Sequence, residues 1–191
     1  KIFSSNYMTA GQWDTDITGV VAAPGAGQVL QWSDANSTPL EDIEEGLESV
    51  LSATGFSPNV LVLGRGVWSK LKNHPDIVDR IKYGTTNKNE ASVNVQTLAN
   101  LIAEDVPNFR VMIQSGVENT AVEGQTPTNT FINRDTALLT YAAPRPGLMT
   151  PSGGYDFQWQ GLLRGTNFTQ INRFLMKEKK ADRVEIEMAF D

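Results

Sequence analysis

The strongest periodicity in the chain lies between Thr38 and Thr54. Leu40, Ile43, Leu47, Val50 and Leu51 recur at the three- and four-residue spacing of one helical face. Thr38 stands where an N-cap belongs, Pro39 at the first helical position and Glu41 at the acid position of a capping box. Glu41, Asp42, Glu44 and Glu45 crowd the first turns, where the helix dipole favours negative charge. Gly55 suits a left-handed C-terminus. The turn Ser57-Pro58-Asn59 then leads into Val60–Leu63, an apolar run that fits a buried strand.

Downstream, Gly66–Asn73 predicts a short helix with Val67, Leu71 and Trp68 inward, and Pro75–Tyr83 a second with Ile77, Val78 and Ile81 on one face. A polar loop, Gly84–Asn89, separates these from a third helix, Asn94–Glu104, faced by Val95, Leu98, Leu101 and Ile102. Pro107-Asn108 breaks the pattern, and Phe109–Gln114 then alternates as a strand. Ser115–Asn129 is rich in turn formers and predicts an exposed loop, after which Thr130–Ala143 resumes strand character. Pro144-Arg145-Pro146-Gly147 is a break and a candidate domain boundary. Beyond it, Tyr155–Leu163 alternates aromatics, and Asn167–Lys177 with Asp182–Phe190 predicts an antiparallel hairpin with one wet face. Lys1–Ser37 is different again, with scattered apolar residues among Gly, Ser, Thr, Asp and Asn, and reads as an extended or hairpin-like arm. Trp13 and Trp32 are costly to leave in water, so the arm packs on its own chain or on a neighbour.

Composition adds bounds. At 191 residues, 40 % hydrophobic and 20 % charged, the chain can bury a real core. No run is long and apolar enough for a membrane span. A net charge of −6 argues against a dedicated nucleic-acid binder, but not against a shell that encloses nucleic acid. Cysteine is absent, which removes disulfides, thiolate metal sites and cysteine nucleophiles. The start at Lys1, without a charged-then-apolar leader, leads us to expect a fragment, or a processed or partly ordered product.

Candidate chemistry is thin. His74 is the single histidine, so any Ser-His-Asp triad would use it; in Asn73-His74-Pro75 the simpler reading is a helix cap. Gly64-Arg65-Gly66 follows a strand and opens a helix, the setting of a phosphate loop, but Ser69 stands where the dinucleotide fingerprint needs a third glycine. Glu41, Asp42, Glu44, Glu45 and Glu48 read as a solvated face, not as paired catalytic carboxylates. Asp14, Asp16, Asp34 and Asn36 lack the spacing of a calcium loop. Lys177, Lys179 and Lys180 are too few for a nucleic-acid patch and suit a solubilising turn. No catalytic residue, metal or cofactor is expected.

Several segments in order do carry a resemblance. Pro39-Leu40-Glu41-Asp42-Ile43, then Gly55-Phe56-Ser57-Pro58-Asn59 into Val60-Leu61-Val62-Leu63, then Val67-Trp68, Leu71, His74-Pro75-Asp76-Ile77, and later Pro151-Ser152-Gly153-Gly154 into Phe157-Gln158-Trp159, together resemble the major capsid proteins of tailed bacteriophages and prophages, with the Hong Kong 97-like fold. The resemblance implies an α+β protein, with an axial α/β domain inserted into a peripheral domain made of a spine helix and antiparallel strands. By that likeness, residues 1–37 are a remnant of the extended loop, 38–56 the spine helix, 57–149 the axial domain and 150–191 the return strands. It implies a virion-head subunit, assembled in the bacterial host cytoplasm, that builds hexameric and pentameric capsomers around double-stranded DNA without sequence-specific contact. Scaffold, maturation protease, portal and decoration proteins are the further partners it suggests, with no membrane and no cofactor. The interface residues expected on this reading are Trp13 and Trp32 in the arm, and Val117, Glu118, Asn119, Val122 and Glu123 in the loop at the tip of the axial domain. An encapsulin-like shell protein, and an α/β enzyme or ligand-binding module, stand as alternatives.

Overall fold

A computed structural model describes residues 11–13, 15–84, 93–103, 106–155, 169–176 and 178–188. Two compact units result, Lys1–Ala142 and Ala143–Asp191.

The first unit is built on a three-stranded mixed sheet. Its central strand is β3 (Val60–Gly64), flanked by β4 (Arg110–Gln114) in parallel and by β7 (Ala137–Thr140) antiparallel, in the order β4-β3-β7. Val60, Leu61 and Leu63 are buried, as an unbroken apolar run requires of a strand covered on both faces. Asn59 extends the ladder with its side chain, its Nδ2 donating to the Ala142 carbonyl (2.9 Å) and its Oδ1 accepting from Ala142 N–H (2.8 Å).

Four helices cover this sheet: α1 (Pro39–Thr54), α2 (Arg65–Leu71), α3 (Pro75–Gly84) and α4 (Val95–Ile102). Helix α1 buries Leu40, Ile43 and Leu47 against a core that also holds Leu71, Ile77, Leu98, Ile102, Val106, Phe109 and Val111. The predicted face runs out before the end of α1, since Val50 is half-buried and Leu51 is exposed. Gly55 ends the helix at φ 75°, with its N–H on the Leu51 carbonyl, as a left-handed C-cap should. The capping box at the other end is not formed. Thr38 makes no side-chain cap bond; its carbonyl accepts from Asp42 N–H, and Asp76 from α3 lies 3.5 Å from Leu40 N–H instead. Helix α4 starts one residue later than expected, with Asn94 as its N-cap, accepting from Thr97 N–H at 2.8 Å. Glu104, the expected end of that helix, lies outside the described residues.

Two further predictions change. Ser115–Asn129 is not irregular throughout: β5 (Val117–Asn119) pairs antiparallel with β6 (Asn129–Phe131). Strand character over Thr130–Ala143 is likewise divided, because a turn at 132–136 separates β6 from β7. In the arm, β1 (Thr18–Val20) and β2 (Gln28–Leu30) form a short parallel pair.

Among the described residues of the second unit the regular structure is one antiparallel hairpin, β8 (Thr169–Met176) and β9 (Ala181–Met188), paired as the sequence predicts. The expected dry face is not covered among the described residues: Ile171, Leu175, Val184 and Ile186 share one face and are all exposed. The segment from Asp156 to Phe168, with Phe157 and Trp159 of the aromatic alternation, lies outside the described residues.

Candidate functional site

His74 is 4 % exposed and sits immediately before α3. The Asp76 N–H donates to its Nδ1 at 3.3 Å, so Nδ1 carries the lone pair and Nε2 the hydrogen. That Nε2 lies 2.9 Å from the Asp34 carbonyl and 3.1 Å from Ser37 Oγ. The Ser37 hydroxyl in turn donates to the Asp34 carbonyl at 2.8 Å. The ring therefore caps α3 as an N-cap acceptor and clamps residues 34–37, the approach to α1. A triad needs a carboxylate on the ring. Here the nearby Asp76 carboxylate faces Leu40 N–H and Arg80 Nε (3.6 Å) instead.

The Gly64-Arg65-Gly66 turn is filled by its own chain. Gly66 and Val67 N–H, the pair that would cradle a phosphate, both donate to the Arg134 carbonyl (2.8 and 3.2 Å). Gly64 N–H donates to the Thr136 carbonyl at 2.9 Å. The glycines are needed for close approach. A Cβ at Gly64 would lie 2.4 Å from the Arg134 oxygen, and one at Gly66 2.5 Å from an Asp135 carboxylate oxygen.

Acidic residues divide by face. Asp42 turns inward and accepts from the Trp32 indole N–H at 2.7 Å. Burial pushes its carboxyl above the ordinary carboxylate range; the indole bond acts the other way, and Glu45, Glu41 and Asp76 push it further up. Glu41, Glu44, Glu45 and Glu48 all face solvent. Asp34 closes a local turn, accepting from Asn36 N–H (2.9 Å) and Nδ2 (3.0 Å), and Asp16 accepts from Gly11 N–H. Asp14 lies outside the described residues. Among the described residues, no three His, Asp or Glu side chains converge as a metal site would need.

The expected interface residues fall in two places. Trp32 is half-buried against the core of its own chain, and Trp13 is half-buried in the arm. Val117, Glu118, Asn119, Val122 and Glu123 belong to the β5–β6 hairpin; all are exposed. The Asn119 carboxamide oxygen closes that hairpin, accepting from Ala121 N–H (3.1 Å) and Thr128 N–H (2.9 Å). Sequence reasoning missed three exposed apolar features: Phe131 across from Val117, the Leu148-Met149 pair, and the open face of β8–β9. For the last, the alternation was visible and its lack of cover was not.

The buried polar groups described here serve the backbone, so what these elements offer another molecule is surface: an acidic helix face, two hairpins and an arm. A family model, phage major capsid protein E, matches residues 30–158. The chain belongs to that family. It is 36 % identical over 109 residues to a major capsid protein of Pseudomonas phage JBD67, covering 55 % of this chain and 33 % of that relative. It is 39 % identical over 49 residues to a major capsid protein of Burkholderia phage BcepMu, covering 26 % of this chain and 16 % of that relative. The chain thus spans a third or less of the length of these curated relatives. In structure it resembles a phage-related protein from Bordetella bronchiseptica RB50, with a TM-score of 0.63 at 20 % identity, over 84 % of this chain and 47 % of that one. Among the described residues, no helix is long and apolar enough to cross a membrane.

Proposed function

We propose that the chain is part of a structural subunit of a phage or prophage head, and that it assembles with copies of itself into the shell that holds the packaged DNA. The observation that carries this reading is the family match over residues 30–158. The mixed sheet with its covering helices, the second antiparallel unit and the α1 helix between arm and sheet are consistent with the Hong Kong 97-like arrangement. On that arrangement α1 is the spine helix, the first unit beyond it the axial domain, and β8–β9 the return strands. Val117, Glu118, Asn119, Val122 and Glu123 then reach neighbours around the capsomer axis, and Trp13 contacts an adjacent subunit. Trp32 contributes by holding the base of the arm to Asp42. Contacts in such a shell are heterologous, one surface meeting a different one on the next copy, and rotation closes them into hexamers and pentamers. Scaffold, protease and portal are the further partners of this reading.

The test is expression of the full-length gene with its neighbouring head genes, followed by sedimentation and electron microscopy. Shell-sized particles support the reading. A folded product that stays monomeric at high concentration, with those partners present, refutes it.

A further inference from the structure

Helix α1 carries a charge pattern that its own unit leaves unused. Glu41 lies three and four residues before Glu44 and Glu45, and Glu48 four and three residues after them, so the four form one exposed stripe. Like charges at these spacings repel by about 0.2–0.5 kcal/mol per pair. The helix has no basic residue in its last turn, and none of the four glutamates is in an ion pair among the described residues. Beyond the stripe stand exposed Leu51 (45 %) and, past the C-cap, Phe56 (39 %), whose ring also stacks on Tyr141 with centroids 5.1 Å apart.

The β8–β9 hairpin shows the opposite pattern. Lys179 and Lys180 in its turn are exposed beside a single acid, Glu178, and are in no ion pair among the described residues, whereas Arg173 and Arg183 are held by Asp182 and Glu185. Lys180 adopts φ 48°, a left-handed conformation that glycine would fill more easily. Behind the turn, Leu175 (67 %) and Val184 (56 %) are exposed on one face. A two-stranded hairpin is marginal in water without cover.

We propose that the turn of the β8–β9 hairpin docks on the α1 stripe of a second copy of this chain, lysines against glutamates and Leu175 with Val184 against Leu51 and Phe56. Charge complementarity selects the partner, and spacing allows it. The acidic and apolar parts of α1 lie roughly 10–15 Å apart at 1.5 Å per residue. On the hairpin, Val184 lies four residues past Lys180, roughly 14 Å at 3.4 Å per residue, with Leu175 nearer the turn. The proposal rests on the reading of the chain as a self-assembling subunit.

The experiment is a charge swap in the full-length gene product, read by sedimentation velocity over a range of concentration and salt. Lys179→Glu with Lys180→Glu should weaken association about tenfold, the effect of losing roughly 1.4 kcal/mol. Glu44→Lys with Glu45→Lys should do the same, and all four substitutions together should restore it. Lys179→Gln with Lys180→Gln should give an intermediate loss without new repulsion. Failure of the fourfold variant to recover, with all variants melting like the wild type, overturns the proposal while leaving the shell reading intact. So does a swap that shifts the melting of dilute monomer and leaves association unchanged, which would place the hairpin within its own chain. A wild type that never associates overturns both.

Discussion

Replacing His74 by alanine isolates a single polar joint between two helices. Three contacts end at once: the N-cap bond from Asp76 N–H and the two contacts of Nε2 with Asp34 O and Ser37 Oγ. Losing an N-cap costs about 1 kcal/mol. A net hydrogen bond at a buried site is worth about 1 kcal/mol, and the void left by a buried ring adds a comparable amount. The expected total is about 3 kcal/mol, or roughly 6–12 °C in melting temperature for a unit of this size. Asparagine is the discriminating control. It is a strong N-cap, so His74→Asn should regain about 1 kcal/mol while still losing the Nε2 contacts. Ser37→Ala should cost less than His74→Ala, because the Asp34 carbonyl keeps the imidazole. Urea unfolding followed by tryptophan fluorescence reads all three, with Trp32 close to the clamped segment. If His74→Ala lies within about 0.5 kcal/mol of wild type, the range of an ordinary surface substitution, or asparagine is no better than alanine, the capping account is wrong.

Other predictions concern single positions. Gly64→Ala should cost about 3 kcal/mol, since its Cβ would meet backbone at 2.4 Å, whereas Gly46→Ala should be near neutral, because its Cβ meets only the movable Leu139 Cδ2 at 3.2 Å. Differential scanning calorimetry of the pair checks both. Asp42→Asn should stabilise the fold at pH 7, keeping an acceptor for Trp32 while removing a charge that burial disfavours. Because the folded pKa of Asp42 is raised, protonation favours the folded state. Its contribution is fully present below the unfolded pKa and is lost as pH rises through the folded value. The advantage of the Asp42→Asn variant over wild type should therefore shrink as pH falls toward the ordinary carboxylate range of about 4. A series of urea midpoints would show this, and a destabilised variant at pH 7 would contradict it. Replacing residues 121–127 by Asn-Gly, between the paired Thr120 and Thr128, should leave the melting temperature of the subunit unchanged while impairing ring formation in electron micrographs.

How much of this was legible in sequence depends on the range of the forces involved. Helix α1, with its apolar repeat and Gly55 stop, and strand β3, a plain apolar run, are set by neighbours a few residues away, and both stand where the pattern puts them. The cap reading of His74 was likewise available from its place before Pro75. Its second role was not, because Asp34 and Ser37 lie forty and thirty-seven residues away in sequence. The same applies to Thr38: the capping-box letters are present, but Thr38 makes no side-chain cap bond and Asp76 of α3 lies by Leu40 N–H. The incomplete glycine pattern already argued against a phosphate loop, but that residues 133–136 fill the turn was not legible, being a contact across some seventy residues. Hairpin β5–β6 escaped prediction because Glu118, Asn119 and Asn129 are poor strand formers, held in place by pairing alone. For the interface residues, sequence supplies exposure and chemistry, while partner choice depends on a second molecule.

The pairing of β3 has a consequence for how the chain is made. Val60 pairs with Arg110 on one side and Thr140 on the other, eighty residues downstream. At ribosomal speeds of about 5–20 residues per second, β3 waits roughly 4–16 s between its own synthesis and that of its last partner. During that interval Leu61 and Leu63, among the most deeply shielded side chains of the finished sheet, have only α1, α2 and whatever has emerged behind them. Where several ribosomes translate one message, nascent chains with the same unpaired strand lie close together. Yield should then be governed by synthesis rate and chaperone supply as much as by the stability of the finished subunit. Slowing translation before Ala137 should lower soluble yield, and slowing it after Thr140 should not.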